Sequence, residues 1–371
     1  VTITRLDLSV LTPITVEGRD ELVRAALAGL VQPCDAIVLS SLTNIRWLTG
    51  FTGSNAVAVV GPDETVLATD GRYTTQAGRE MEDSGSPARL VVDDDPVGAA
   101  MERVAPYWTL GLEDSVTWAT QARWAGHADE ALVAATLLVE ELRAIKTPAE
   151  VERMQAAAMI VDEVLEESSH LLVPGTSERE IALALDDGMR ARGSSGPAYE
   201  TIVASGPNSA LPHARPTERR LAEGDLLIID AGAVVDGYRS DMTRTFAIGD
   251  LPARSEQMVE VVTRSQAAGV AVVRPGIDAG SVDEACRDVI SSEGMAELFV
   301  HGTGHGVGLD IHELPRVRKG STAILRPGHV LTVEPGVYDP DVGGVRVEDL
   351  VVVTEEGCRS LTRYPKTPFP E

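Results

Sequence analysis

Residues 230–241, DAGAVVDGYRSD, constrain the fold of this chain more than any other stretch. Asp236-Gly237 divides it into two strand-like halves, and an Asp-Gly pair favours a two-residue type I′ hairpin because both loop residues need positive φ. That turn fixes a register in which Val235 pairs with Tyr238, Gly232 faces Asp241 and Asp230 faces Thr243. Side chains alternate across a strand, so Asp230 and Asp241 project from one face as diagonal neighbours. Thr243, opposite Asp230, is expected to hydrogen-bond that carboxylate. Two acids pointing together out of the apolar run LLIIDAGAVV call for a divalent cation, or two.

A chain of 371 residues with 43% apolar residues has material for two domains with ordinary cores. A net charge of −25 argues against nucleic acid and anionic membrane as partners. The three cysteines, Cys34, Cys286 and Cys358, lie far apart and form no CxxC, which fits a reducing compartment without a disulfide framework. With no basic leader and no run approaching a membrane span, the expected location is the cytoplasm.

The first part of the chain alternates helical and strand patterns. An apolar stripe of Leu22, Val23, Ala26, Leu27 and Leu30 marks a helix over 18–31. Strands are expected at 36–39, 56–60, 65–68, 90–92 and 109–112, and helices near 72–81, 96–104 and 117–126. A long amphipathic run at 129–145 leads to Thr147-Pro148, where Thr147 can cap a helix with Pro148 at its first position. The chain therefore divides into an α/β domain, residues 1–140, and a second α+β domain, residues 141–371. In the second, helices are expected at 149–172, 177–192, 254–273 and 279–292, a strand at 200–204, and a strand-dominated end.

Four of the seven histidines, His213, His301, His305 and His312, fall in loops of the second part. The segment HGTGHGVG cannot be a helical HExxH zinc site, because its glycines oppose a helix and the required Glu is absent. Its glycines instead let the backbone approach something closely. Glu334 ends the apolar strand VLTVE, and Glu348 sits two residues after Arg346 in GVRVEDLVVV, which places both on one strand face. Taken singly, such an acid faces solvent. Four carboxylates in apolar strand settings with one imidazole make a mainly oxygen set, suited to two divalent ions about 3.5–4 Å apart.

The ordered set Asp230, Asp241, His305, Glu334 and Glu348, framed by HGTGHGVG, TVEPG and GVRVED, resembles the pita-bread metallopeptidases, the family of methionine aminopeptidase, aminopeptidase P and prolidase, with metal-free creatinase as a relative. TNIRWLTGFTGSNA and TDGRY in the first part resemble the creatinase/prolidase N-terminal domain, which methionine aminopeptidases lack. The resemblance thus implies a creatinase-type α/β domain followed by a pita-bread catalytic domain, in the Xaa-Pro peptidase branch. It implies that Asp230 binds one ion through both oxygens, that Asp241 and Glu348 bridge, and that His305 and Glu334 complete the second ion. It makes His213, His301 and His312 substrate-side histidines, and Arg346 a supporting arginine at the substrate end of the site beside Glu348.

In such a site Glu334 is the group placed to carry a proton from water to the leaving nitrogen, with His312 and His213 donating hydrogen bonds to the substrate or oxyanion. His301 shapes the pocket. The expected substrates are small peptides with proline in second position. An aminopeptidase is favoured over a strict dipeptidase, because no arginine clamp for a substrate carboxylate is visible near the final strands. A metal-free creatinase-like C–N hydrolase and a non-catalytic peptide-binding homologue are the competing classes, and the intact ligand set argues against both. One imidazole and four carboxylates favour Mn²⁺ ahead of Co²⁺ or Zn²⁺. The resemblance also implies a homodimer.

Overall fold

The computed structural model describes residues 7–105, 108–127 and 132–367. It divides into two compact units, one comprising Pro13–Arg143 and the other running from Ala144 onward together with the segment around Leu8–Val10.

The first unit is built on a six-stranded sheet: β1 (Ala36–Leu39), β2 (Ala56–Val60), β3 (Thr65–Thr69), β4 (Arg89–Val92), β5 (Leu110–Leu112) and β6 (Leu132–Ala134), in the order β4-β3-β2-β1-β5-β6. β2 runs antiparallel to both β1 and β3, and the outer pairings are parallel. Its helices are α1 (Arg19–Ala28), α2 (Leu42–Thr49), α3 (Thr74–Ser84), α4 (Pro96–Met101), α5 (Trp118–His127) and α6 (Leu138–Ala144). The strands β1, β2, β3 and β5 are buried on both faces, which is why they read as short continuous apolar runs. The start of the amphipathic run at 129–145 lies outside the described residues, and the rest forms β6 and then α6, with Leu137 at φ 54° just before the helix.

The second unit opens with α7 (Pro148–Ser168) and α8 (Glu178–Ala191). Both begin in a capping box, Thr147 with Glu150 and Ser177 with Glu180, and Pro148 takes the first turn of α7. These helices pack on an antiparallel sheet of β7 (Ile202–Ser205), β8 (Asp225–Ala231) and, beyond a short ribbon of β9 (Val234–Val235) and β10 (Tyr238–Arg239), β11 (Met242–Ile248), ordered β11-β8-β7. A second layer sets α9 (Ala253–Val272) and α10 (Ala279–Ser292) against β12 (Gly304–Gly306), β13 (Glu313–Val317), β14 (Val330–Val333), β17 (Asp349–Val353) and β18 (Cys358–Ser360), ordered β13-β12-β14-β17-β18. Between β14 and β17 the chain forms a hairpin of β15 (Gly336–Asp339) and β16 (Gly343–Arg346).

The Asp-Gly turn is present. Asp236 has φ 46° and Gly237 φ 76°, Val235 pairs with Tyr238, and Thr243 pairs with Asp230. The same register runs from the turn through the ribbon into β8 and β11, so the positions assigned from one dipeptide hold along the whole hairpin.

A buried ion pair fastens the start of this unit to the first residue of β13, and a backbone bond fastens it to the turn before β14. Lys146 Nζ lies 2.8 Å from Glu313 Oε2, and the Lys146 N–H donates to the Gly328 carbonyl. Beside them His329 is buried, and its Nδ1 accepts from the Arg326 N–H at 3.1 Å. Burial, with the Lys146 and Arg326 charges, pushes the His329 pKa down to about 4 from 6.5. The folded chain therefore refuses a proton that the unfolded chain accepts below pH 6.5. This contribution to stability is complete above pH 6.5 and is lost as pH falls towards 4, amounting to about 2 kcal/mol at pH 5. Urea titrations at pH 7 and pH 5 should show that share of the acid destabilisation vanishing in His329→Gln; an unchanged pH slope would exclude it.

Candidate metal centre

Five segments converge on one cavity of about 790 Å³. β8 supplies Asp230, the residue before β11 supplies Asp241, β12 supplies His305, the end of β14 supplies Glu334, and the link from β16 to β17 supplies Glu348. All five line the cavity, as do His213, His301, His312 and Arg346. Residues expected from the sequence to act together are therefore brought together.

Asp230, Asp241 and Glu348 each offer an oxygen within 4.8 Å of the others. His305 Nε2 is 3.4 Å from Glu334 Oε1 and 3.7 Å from Asp241 Oδ2. His305 Nδ1 is 3.0 Å from the Gly306 carbonyl, which can only accept, so Nδ1 carries the proton and Nε2 turns its lone pair to the acids. The glycines on either side of His305 explain how it gets there. A Cβ on Gly304 would fall 2.1 Å from the Thr332 carbonyl oxygen, and one on Gly306 would fall 2.0 Å from that of Leu314. The close approach read from HGTGHGVG is thus between β12 and its neighbouring strands.

Packing these acids together has an electrostatic cost. Burial pushes the Asp241 and Glu348 carboxyls well above the usual carboxylate range, and their acidic neighbours push them further. Burial raises Glu334 as well. One fixed positive charge answers them. Arg346 is buried, and its Nη2 donates to Asp230 Oδ2 at 2.6 Å. Its Nη1 reaches Tyr338 Oη at 2.8 Å and the Pro212 carbonyl at 3.1 Å. The chain changes sheets between Arg346 and Glu348, yet both reach the same cluster.

Thr243 lies on the cavity side, as the register requires, but its partner differs from the one expected. Its hydroxyl donates to Glu348 Oε2 at 2.7 Å and accepts from Arg346 Nε at 3.1 Å, while Asp230 is held by Arg346 and Tyr199. Glu348 arrives from a remote strand and intercepts the hydroxyl. Its other oxygen, Oε1, is buried with no hydrogen-bond partner among the described residues. An acceptor left bare inside a cluster of raised acids fits a bound cation, which would restore ionised carboxylates and fill that lone pair.

Further side chains complete the surroundings of the acids. Tyr199 Oη lies 2.5 Å from both Asp230 Oδ1 and Asp241 Oδ1, joining the two acids of the hairpin. Tyr338 Oη takes the Arg346 hydrogen bond and lies 3.0 Å from His301 Nε2. His301 Nδ1 meets the Gly302 carbonyl at 2.7 Å, so both ring nitrogens are engaged by the protein. His312 packs edge-on against His305 with ring centroids 4.4 Å apart, and burial, then the neighbouring His305 and Arg316, lowers its pKa to about 4. Arg316 and Arg318, from β13 and just beyond it, line the cavity and have no carboxylate partner among the described residues.

Residues 152–355 match the model of metallopeptidase family M24, and residues 22–145 match that of the creatinase/prolidase N-terminal domain. The chain is 39% identical to the uncharacterized peptidase YqhT of Bacillus subtilis (strain 168), over 90% of this chain and 94% of that protein. Among solved structures, the Xaa-Pro dipeptidase from Bacillus anthracis superimposes with a TM-score of 0.90 at 34% identity, covering 96% of this chain and 99% of the other. The X-Pro aminopeptidase from Thermotoga maritima MSB8 gives 0.83 at 30% identity, covering 94% and 99%. The second unit accordingly has the pita-bread fold. No helix among the described residues is long and apolar enough to cross a membrane. With the acid-bearing strands, the two-unit order and these likenesses in agreement, the chain belongs to metallopeptidase family M24.

Proposed function

We propose that this protein hydrolyses the bond between an N-terminal residue and a following proline, with two divalent ions held by Asp230, Asp241, His305, Glu334 and Glu348. The observation that carries this reading is the convergence of those five side chains around a buried, unpartnered Glu348 Oε1. The proline preference rests on the names of the solved neighbours. A donor set of one imidazole and four carboxylates favours Mn²⁺ over Co²⁺ or Zn²⁺. A cytoplasmic homodimer is the working unit this reading implies, and light scattering measures its mass.

When bound, the ions supply Lewis-acid polarisation of the scissile carbonyl and acidify the attacking water. Glu334 takes a proton from that water and returns it to the departing proline nitrogen; burial, which raises its pKa, suits it to hold the proton between the two steps. His312, neutral at physiological pH, donates an N–H to the substrate or its developing oxyanion. His213, which also lines the cavity, does the same. His301, with both nitrogens engaged, shapes the pocket, and Arg346 keeps Asp230 aimed at the cavity.

The dipeptidase reading has its own support. A carboxylate clamp near the last strands is not required, because Arg316 in β13 and Arg318 just beyond it give the cavity two guanidinium groups without a carboxylate partner among the described residues. A terminal carboxylate on the proline fits them. Hydrolysis of Xaa-Pro, Xaa-Pro-Yaa and longer peptides, after chelation and Mn²⁺ reloading, tests the function. Turnover that survives exhaustive chelation overturns it. In Arg316→Ala, KM for dipeptides should rise about 10-fold or more, with little change for longer peptides. Equal changes for both would remove the clamp.

A further inference from the structure

His213 enters the cavity from the long segment between β7 and β8, and its ring has no hydrogen-bond partner among the described residues. Its position is therefore set by the backbone that carries it. Both flanks of that backbone converge on one carboxylate remote from the cavity lining, that of Glu178, the first residue of α8, which is fully buried.

Glu178 Oε1 accepts from the Ser205 N–H and hydroxyl, each at 2.7 Å. Oε2 accepts from the Thr217 N–H at 3.0 Å and its hydroxyl at 2.6 Å. Asn208 Nδ2 reaches both oxygens at 3.0 Å. Ser205 and Asn208 precede His213 in the chain, and Thr217 follows it, so one side chain closes the segment at its base. A buried charge without partners would be prohibitive. Here the helix N-terminus and five donor groups offset the cost. Burial works to raise the Glu178 pKa, and the bonds from Thr217 and Ser205 outweigh it, holding the pKa below the ordinary glutamate value.

The segment is also tight and anchored at its far end. Gly206 has φ 49°, and a Cβ there would fall 2.5 Å from both Arg219 Nη2 and Asp225 Oδ1. The carbonyl of Pro212, beside His213, accepts from Arg346 Nη1. A movement at Glu178 thus has little slack to absorb it before it reaches the imidazole.

We propose that Glu178 is a positioning residue that sets where the His213 imidazole meets the substrate. This rests on the reading of His213 as a substrate-side donor. Glu178 touches neither the acids nor the cavity, so its effect on the reaction passes through His213.

A double-mutant cycle on the Mn²⁺-loaded full chain tests this with an Xaa-Pro dipeptide, comparing wild type, Glu178→Gln, His213→Ala and the double variant. Glutamine keeps the size but turns an NH2 group towards donors. Glu178→Gln should lower kcat/KM about 10-fold to 100-fold when His213 is present. In the His213→Ala background the further loss should be no more than about 2-fold. Should Glu178→Gln fail to fold, Thr217→Val removes one donor to Oε2 and should show the same non-additivity with a smaller loss. If His213→Ala alone leaves kcat/KM unchanged, the reading of His213 falls, and the role of Glu178 with it. If His213→Ala is impaired and the losses simply multiply, only the link from Glu178 falls.

Discussion

Replacing Glu334 with alanine is expected to lower kcat by about 1,000-fold or more while the protein still takes up metal. The side chain stands at the end of β14, where its backbone N–H donates to the Thr303 carbonyl at 2.8 Å and Thr332 Oγ1 lies 3.1 Å from Oε1. The truncation therefore removes a carboxylate from a position fixed by its neighbours. Asp230, Asp241, His305 and Glu348 remain to hold metal, so elemental analysis after loading and gel filtration should still find it. Near-normal turnover in this variant would exclude Glu334 as the proton carrier. Loss of all bound metal would make its contribution one of binding.

The second large effect falls on stability. Arg346 is the one fixed cation among the described residues that hydrogen-bonds any of the four carboxylates, and it bonds Asp230. Arg346→Met keeps an unbranched apolar stem and removes the charge, leaving Asp230 with only the Tyr199 hydroxyl. Breaking a buried pair from one side costs about 3–5 kcal/mol, because the other charge is left uncompensated. Chemical denaturation of the chelated protein should show a loss of that size. Mn²⁺ should restore part of it, since the ions then supply positive charge beside Asp230. A loss below about 1 kcal/mol in the chelated form would exclude Arg346 as the group that offsets the charge of these acids.

What the sequence made legible follows from the range over which its signals act. The hairpin was legible because a dipeptide with positive φ at both residues sets the register of everything continuous with it. Capping boxes act within one turn, and both that open the second unit lie where a Ser or Thr precedes a Glu by three residues. The partner of Thr243 was not legible. Local register says which residue lies opposite, but nothing local says that Glu348, from a strand more than a hundred residues on, will reach the hydroxyl first. Tyr199 and Tyr338 were missed for the same reason, because a tyrosine beside a strand carries no mark of what its hydroxyl will touch. Arg316 and Arg318 are not legible as a clamp, because only the pairing of β13 with the strand of His305 lays them along the cavity. A strand followed by a helix can present a single amphipathic pattern, as in the run at 129–145, whose described part is β6 and then α6.

The proposed cage joins a local half to a remote one. Asp230 and Asp241 come from one hairpin, whereas His305, Glu334 and Glu348 lie in or beside strands that follow α9 and α10. On a ribosome the hairpin emerges long before its partners, and two carboxylates alone form no competent site. The last carboxylate appears only when β16 has been made, just before β17. A nascent chain thus cannot hydrolyse peptides in its surroundings until nearly all of its core strands are available to fold.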